Sequence, residues 1–286
     1  MDPTLPVIQS YVPTGPLKEL VYAILYVRGL GTGLALQRVY QNIIINVGGN
    51  FHTSSPFEDD TPTENKATVW INGKHETPFY LGHNGTPEFY ILAVKQGMLP
   101  FFTSVPVRDT NETALPAEVW GPTSIIALQQ ELQMSNDVAS NFAAIERHFT
   151  HEVPEPSAGV LKKIAFLADA LPTHTVTQLC HVTGYTRKRL WQEVLKHFGS
   201  SIKEMQGIIR FDNHLKAISE NTQKNFSALH TFYDQAHFIH DFKSRTRLTP
   251  NQYRLLCNHY TQIRRHPNFI PINKETFLQF YYTGVL

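Results

Sequence analysis

The hydrophobic pattern changes its period near Gly121-Pro122, and this change constrains the fold more than any other feature of the sequence. Before it, segments rich in β-branched and aromatic residues, such as 20–27, 39–47 and 89–94, are separated by turn residues. After it, residues 125–149 place apolar side chains at helical spacing. Strand-like segments followed by helical ones are typical of an α+β protein rather than of alternating βαβ units.

Proline and acidic residues at 152–157 break the helical pattern and predict a linker. We therefore expect an α+β chain of two domains. Residues 1–153 would form a mostly-β, barrel- or sandwich-like domain with helices, which binds an effector or dimerises. Residues 158–260 would form an all-α domain, and the apolar extension 261–286 would pack on a domain or on a partner subunit.

Shorter signals add detail to the first domain. Asn72-Gly73 after a strand-like run predicts a hairpin turn, and the polar stretch 54–65 predicts a surface loop. Ser135-Asn136-Asp137 can cap a second helix. Several aromatic side chains are candidates for lining an effector pocket, with plain core packing as the more common alternative: Tyr22, Tyr26, Phe79, Tyr80, Phe89, Phe101 and Phe102.

Charge is distributed unevenly along the chain. Residues 1–154 hold 8 Lys or Arg against 15 Asp or Glu, whereas residues 155–265 hold 16 against 8. A basic second half predicts an anionic partner for that half.

The cell compartment is predicted from absent signals. Two cysteines cannot build a disulfide framework, and no secretory pattern precedes the first domain. The longest apolar-rich run, residues 20–27, is far shorter than the roughly 20 residues that span a bilayer. We expect a reduced, cytoplasmic protein without a membrane partner.

Residues 176–199 have the pattern of a helix-turn-helix with a basic second helix. Gly184 would supply a turn with positive φ, and Thr186 would cap the next helix. On that helix an inward-facing i, i+4, i+8 set, Leu190, Val194 and Phe198, would turn the basic side chains outward. Two short helices with a solvated basic face are the plainer alternative.

A second block, residues 232–254, contains Tyr-Asp-Gln-Ala-His-Phe at 233–238, the apolar pair Phe238 and Phe242, and Leu-Thr-Pro at 248–250. This block closely resembles the AraC/XylS family of bacterial transcription regulators. Here Asp234 would be an N-cap, and Thr249-Pro250 would begin the next helix. The first helix-turn-helix and the segment 209–218 also resemble this family. The resemblance covers about 100 residues, and it extends more weakly to the β-rich sensor domain of one subgroup.

The resemblance implies a DNA-binding domain with two helix-turn-helix motifs, whose recognition helices enter successive major grooves about 34 Å apart. Double-stranded DNA is the expected partner; a small-molecule effector, RNA polymerase and a second copy of the chain are further candidates. The implied DNA contacts are Arg187, Lys188, Arg189, Trp191, Gln192 and Lys196 in the first motif, and Gln235, His237, His240 and Lys243 in the second.

The second motif departs from the family pattern. Thr231 stands at the turn glycine in an ungapped alignment, His240 replaces a frequent arginine, and Arg247 replaces the glycine before Leu-Thr-Pro. The competing hypothesis is an interaction protein whose degenerate second motif docks on another regulator or on polymerase.

No enzymatic site is predicted. Phosphate-binding glycine loops and nucleophile motifs are absent from the sequence. His237 and His240, like His148 and His151, have i, i+3 spacing, but no cysteine or carboxylate cluster accompanies them. We expect no catalytic residue, cofactor or metal; a metal-dependent cupin enzyme is a third hypothesis.

Overall fold

The computed structural model describes residues 6–37, 40–57, 62–220 and 235–286. The strands are β1 (Val7–Tyr11), β2 (Val21–Arg28), β3 (Gly33–Ala35), β4 (Asn42–Asn46), β5 (Phe51–Ser54), β6 (Thr63–Asn65), β7 (Val69–Asn72), β8 (Phe79–His83), β9 (Glu88–Val94), β10 (Ala114–Pro116) and β11 (Phe269–Ile270). The helices are α1 (Ala117–Trp120), α2 (Ser124–Met134), α3 (Val138–Glu152), α4 (Ala158–Ala170), α5 (Val176–Thr183), α6 (Arg187–Phe198), α7 (Ile202–Glu220), α8 (Gln235–Thr246), α9 (Pro250–His259) and α10 (Lys274–Thr283). Within these ranges, no helix has the length and apolar content needed to cross a membrane.

The strands form two antiparallel sheets. The large sheet has the order β1-β2-β9-β4-β7-β10, and the small sheet has the order β11-β3-β8-β5-β6. The N-terminal part is thus mostly β and the region from α4 to α9 is helical, which confirms the predicted fold class.

Alternation along the central strands gives the large sheet two different apolar faces. On β4, Ile43 and Ile45 are fully buried in the main core, while Ile44 belongs to a separate cluster with Phe51 of the small sheet. Successive side chains of a strand point to opposite faces, so a continuous apolar run serves both. One face packs against helices, and the other faces the small sheet.

Helices α2 and α3 contribute to the core on the first of these faces. Ile125, Leu128, Phe142 and Ile145 are buried there. The Asp137 side chain accepts a hydrogen bond from the Ala139 amide at 3.0 Å, which confirms the predicted N-cap. Such a cap contributes about 1 kcal/mol to stability.

Two sequence predictions for the β-rich part were wrong. Asn72-Gly73 does not close a hairpin, because β7 pairs with β4 and β10 while the following strand β8 lies in the other sheet. Gly73 is needed instead for a close approach, since a Cβ atom there would lie 1.7 Å from the Thr110 carbonyl oxygen. The predicted loop 54–65 also contains β6, which pairs with β5 at the edge of the small sheet.

Helix α6 and the residues that follow it pack directly onto the β-rich part. The His197 ring is hydrogen-bonded through Nδ1 to the Gly97 carbonyl oxygen at 2.9 Å. Buried Lys74 donates to the Ser200 hydroxyl at 2.6 Å. The main core therefore contains residues from both sides of the non-helical segment 153–157. The division of the chain into two domains at this segment stays a prediction.

The extension 261–286 packs on the N-terminal part. Its strand β11 pairs with β3, and the Tyr80 hydroxyl donates to the Ile272 carbonyl oxygen at 2.8 Å. Phe277 and Phe280 of α10 are fully buried in a core that also contains Phe242 of α8. The extension thus joins α8 and α9 to the small sheet.

Candidate nucleic-acid interface and ligand cavity

Local sequence accounts for the first helix-turn-helix. Thr175 and Gln178 form a reciprocal capping box at the start of α5. Gly184 then adopts φ of 67°, a left-handed conformation that glycine accepts without strain. The Thr186 hydroxyl accepts a hydrogen bond from the Arg189 amide at 3.3 Å. The predicted turn glycine and N-cap are both confirmed.

Helix α6 has one buried and one exposed face. Leu190, Val194 and Phe198 are buried, as predicted. The predicted DNA-contacting side chains on α6 are all exposed: Arg187, Lys188, Arg189, Trp191, Gln192 and Lys196. On α5, Leu179 is buried, whereas Val176 is 37% exposed.

Lys188, Trp191 and Gln192 share one face, because residues three and four apart lie on the same side of a helix. The Trp191 side chain is 51% exposed, although tryptophan is usually well buried. Within the described ranges, the side chains of Lys188 and Gln192 make no hydrogen bond or ion pair. Their donors and acceptors are available to an external partner.

Arg189 is engaged inside the motif. Its guanidinium carbon lies 4.8 Å from the centroid of the Tyr185 ring, and its Nε lies 3.9 Å from a Glu193 carboxylate oxygen. These contacts hold Arg189 beside the turn, at the edge of the exposed face.

The second motif presents fewer cations. His237, His240 and Lys243 are exposed on α8, while the side chain of Gln235 lies outside the described residues, as do Thr231 and Asp234. The predicted apolar pair is confirmed, since Phe238 and Phe242 are buried with ring centroids 5.8 Å apart. Thr249 caps α9 in a capping box, with Pro250 in the first turn, as predicted.

Arg245 of α8 is turned inward. Its Nη1 donates to the Gln37 side-chain oxygen at 2.8 Å, and its Nε donates to Asp241 at 3.1 Å. Gln37 is buried, so this contact ties α8 to the β-rich part.

Arg247 ends α8 in a left-handed conformation, with φ of 63°. Its amide donates to the Lys243 carbonyl oxygen at 2.8 Å, which is the usual bonding at a helix C-terminus. This conformation is costly for residues other than glycine.

A cavity of about 1630 Å³ lies between the two sheets, and residues of the helical region and the extension also line it. Its apolar wall comes from the second face of the large sheet and from the facing small sheet: Leu25, Val27, Ile44, Trp70, Phe89 and Ile91, with Phe51, Phe79 and Leu81 opposite. Ligand pockets are typically about 300–1,000 Å³, so this space is large enough for a small molecule.

The helical region and the extension add charged groups to the cavity rim. Lys216 of α7, Arg247 and Arg265 line it and are exposed. Tyr40 and His266 line it as well. Partial desolvation raises the pKa of Tyr40 and lowers that of His266, which the neighbouring Arg265 lowers further.

Sequence reasoning identified this cavity only in part. Of the proposed aromatic residues, Phe79 and Phe89 line it. Tyr22 is exposed, and the others, Tyr26, Tyr80, Phe101 and Phe102, pack in the cores. Burial and a hydrogen bond to Glu88 raise the pKa of Tyr26 to about 12. The alternation of β4 and β7 was the signal that could have identified Ile44 and Trp70.

Among residues 6–37, 40–57, 62–220 and 235–286, no group of three or more His, Cys, Asp or Glu side chains could hold a metal ion.

No protein-family model and no curated protein matches this chain. Among solved structures, ToxT from Vibrio cholerae is similar, with a TM-score of 0.42 and 12% identity over 87% of this chain and 98% of that one. ToxT of V. cholerae strain SCE256 bound to an unsaturated fatty acid has a TM-score of 0.40 and 14% identity, over 87% and 95% of the two chains. CuxR has a TM-score of 0.27 and 13% identity, over 67% and 80%. CuxR is described as an AraC-like transcriptional activator.

Proposed function

We propose that the protein is a sequence-specific DNA-binding transcription regulator of the AraC/XylS type, without catalytic activity. The observation that carries the proposal is the exposed face of α6, where Lys188, Trp191 and Gln192 stand over a buried Leu190 and Val194. Glutamine can bond bidentately to adenine, and lysine can bond to guanine or to phosphate. The basic balance of residues 155–265 supplies cations for the DNA backbone.

The proposal is tested by retaining fragments of the source genome on the purified protein at two salt concentrations and sequencing them. We expect an enriched motif, with affinity that falls steeply as salt rises because counterions are released from DNA. Lys188→Ala with Gln192→Ala should weaken binding to that motif by about 1–3 kcal/mol for each lost base contact.

Lys162→Ala is the matched control, because Lys162 is exposed on α4 of the same region and its removal costs the same single charge. It should lower affinity for motif and random DNA alike. If the α6 double variant weakens binding to the motif no more than Lys162→Ala does, α6 does not read bases.

One observation supports the competing hypothesis that the chain is an interaction protein. The Arg245 side chain is turned toward Gln37 and Asp241. Of the Lys and Arg side chains in the described part of α8, Lys243 is therefore the exposed one. A packed protein interface would be far less sensitive to salt than a DNA complex, so the same two salt concentrations separate the hypotheses.

Effector control is assigned to the cavity. Lys216 belongs to α7 and Arg247 directly follows α8, so a ligand on these cations would contact the DNA-binding region itself. Such a ligand would shift the population of protein molecules toward the conformation that binds the ligand more tightly. An apolar wall with cations at its rim suits an amphipathic molecule with an acidic group.

Dodecanoate is a simple probe of this assignment. Lys216→Ala should weaken its binding in calorimetry, while Lys203→Ala should not, because Lys203 is exposed on the same helix α7 but does not line the cavity. Equal affinity in both variants would remove Lys216 from the site.

A further inference from the structure

The helices after residue 157 belong to two different hydrophobic cores. Helices α4, α5 and α6 contribute to the main core, together with α2, α3 and one face of the large sheet. Helices α8 and α9 contribute to a second core, which also contains Leu34 and Tyr80 of the small sheet. Helix α7 connects the two, since its first half lies in the main core and its second half lies in the other. The two pairs of helices therefore rest on different parts of the β-rich region.

Helix α6 is fixed to the β-rich part by contacts that do not line the cavity. Besides the hydrogen bonds of His197 and Lys74, the Asn111 side-chain amide donates to the Gly199 carbonyl oxygen at 3.0 Å. Gly199 also packs so closely that a Cβ atom there would lie 2.8 Å from Val107. No residue of α4, α5 or α6, all of which are described, lines the cavity. A ligand in the cavity therefore does not touch this helix-turn-helix.

The extension 261–286, in contrast, forms one wall of the cavity. Its lining side chains include Arg265, Phe269 and Tyr281. The Tyr281 ring packs against Phe57, with ring centroids 4.9 Å apart, and Phe57 lines the cavity as well. A ligand between the two sheets would thus contact the extension directly.

Two buried tyrosines hold the extension from opposite sides. The Tyr80 hydroxyl, on β8, donates to the Ile272 carbonyl oxygen at 2.8 Å. The Tyr253 hydroxyl, on α9, donates to the Pro267 carbonyl oxygen, also at 2.8 Å. Neither tyrosine lines the cavity. The cavity-lining segment 267–272, which contains β11, is therefore fastened to the small sheet at one end and to α9 at the other.

We propose that the extension transmits effector binding to α8 and α9, while α5 and α6 stay fixed on the β-rich part. This inference rests on the proposed effector role of the cavity and adds the route by which the ligand acts. A ligand that orders the segment 267–272 also orders the helices fastened to it, because elements that share a core and buried hydrogen bonds open together. The effector would then decide whether α8 and α9 join α6 on DNA.

Hydrogen exchange on the full chain, with and without saturating dodecanoate, tests this route. No residue of α9 and no described residue of α8 lines the cavity, so slower exchange in these helices is transmitted rather than direct. At a ligand concentration of 100 times Kd, bound ligand slows an opening that releases it by up to about 100-fold. Among amides that exchange by local opening, we expect such slowing in 267–272 and in α9, and unchanged exchange in α6.

Tyr80→Phe and Tyr253→Phe each delete one of the two hydrogen bonds and leave the cavity lining intact. Each variant should still bind dodecanoate in calorimetry. The ligand-induced slowing in α9 should shrink by about twofold to tenfold, the range that one hydrogen bond contributes to an equilibrium constant. If one variant fails to fold, the other carries the same test.

Tyr90→Phe is the matched control. Tyr90 is buried on the large sheet, does not line the cavity, and accepts one hydrogen bond from the Asn141 side chain at 2.8 Å. Since this bond lies in the main core, its loss should keep the full slowing of exchange in α9.

Three results overturn the proposed route while dodecanoate still binds, and each leaves the effector site standing. They are unchanged exchange in α9, slowing in α6 equal to that in α9, and slowing in α9 that the folded tyrosine variants keep in full. Failure of dodecanoate to bind wild type in calorimetry overturns the effector assignment and the route together, whereas DNA retention tests the regulator separately.

Discussion

Arg247→Gly should make the protein more stable, although it deletes a large side chain. A left-handed conformation costs an L residue about 1–2 kcal/mol. The Arg247 side chain is exposed, and within the described ranges it makes no hydrogen bond or ion pair that would offset this cost. Glycine removes the cost but has more freedom in the unfolded chain, which takes back about 0.5–1 kcal/mol. The net gain is about 1 kcal/mol.

Urea unfolding measures this gain in the free energy of unfolding. In thermal unfolding, the Tm should rise by about 2–4 °C. Ala165→Gly is the control of opposite sign, because Ala165 is exposed inside α4, where glycine costs about 1 kcal/mol. If Arg247→Gly destabilises the protein as much as this control does, the left-handed conformation is not strained. Since Arg247 also lines the cavity, the stabilised variant should bind dodecanoate more weakly.

Two further predictions concern the contacts between the parts of the molecule. Burial lowers the pKa of His197 below its usual 6.5, so falling pH protonates the unfolded chain first and stability is lost below pH 6.5. The Tm of His197→Asn should therefore fall less than that of wild type between about pH 8 and pH 5, while the Tm of exposed His181→Asn should fall as in wild type. Parallel curves of Tm against pH for all three proteins would contradict a buried neutral imidazole at His197. Gly33→Ala should destabilise the protein by about 1–3 kcal/mol in urea unfolding, because its Cβ would lie 2.5 Å from the Ile270 carbonyl oxygen of the extension. Gly31→Ala, with open space around it, should be neutral, and equal effects of the two would refute the close β3–β11 contact.

Features that depend on neighbouring residues were predictable from the sequence. The turn at Gly184, the caps at Thr186 and Asp137, and the buried face of α6 all follow from contacts within a few residues. The change from strand-like to helical periodicity likewise predicted the fold class, because period reflects which side chains must share a face.

Features that depend on distant segments were not predictable in this way. Asn72-Gly73 has the composition of a hairpin turn, but β7 finds its partners in β4 and β10, and Gly73 is selected by the distant Thr110. The pairing of β11 with β3 joins segments more than 200 residues apart, for which the local pattern contains no signal.

The sequence alone therefore predicted a β-rich part followed by a helical part, the helix-turn-helix and its exposed basic face, since each is encoded by residues one to four apart. Only the tertiary structure placed Phe79, Phe89 and Arg247 around one cavity and turned Arg245 inward. The physical reason is that a cavity belongs to the packing of two sheets and a helical region against each other. Its lining residues share no spacing along the chain.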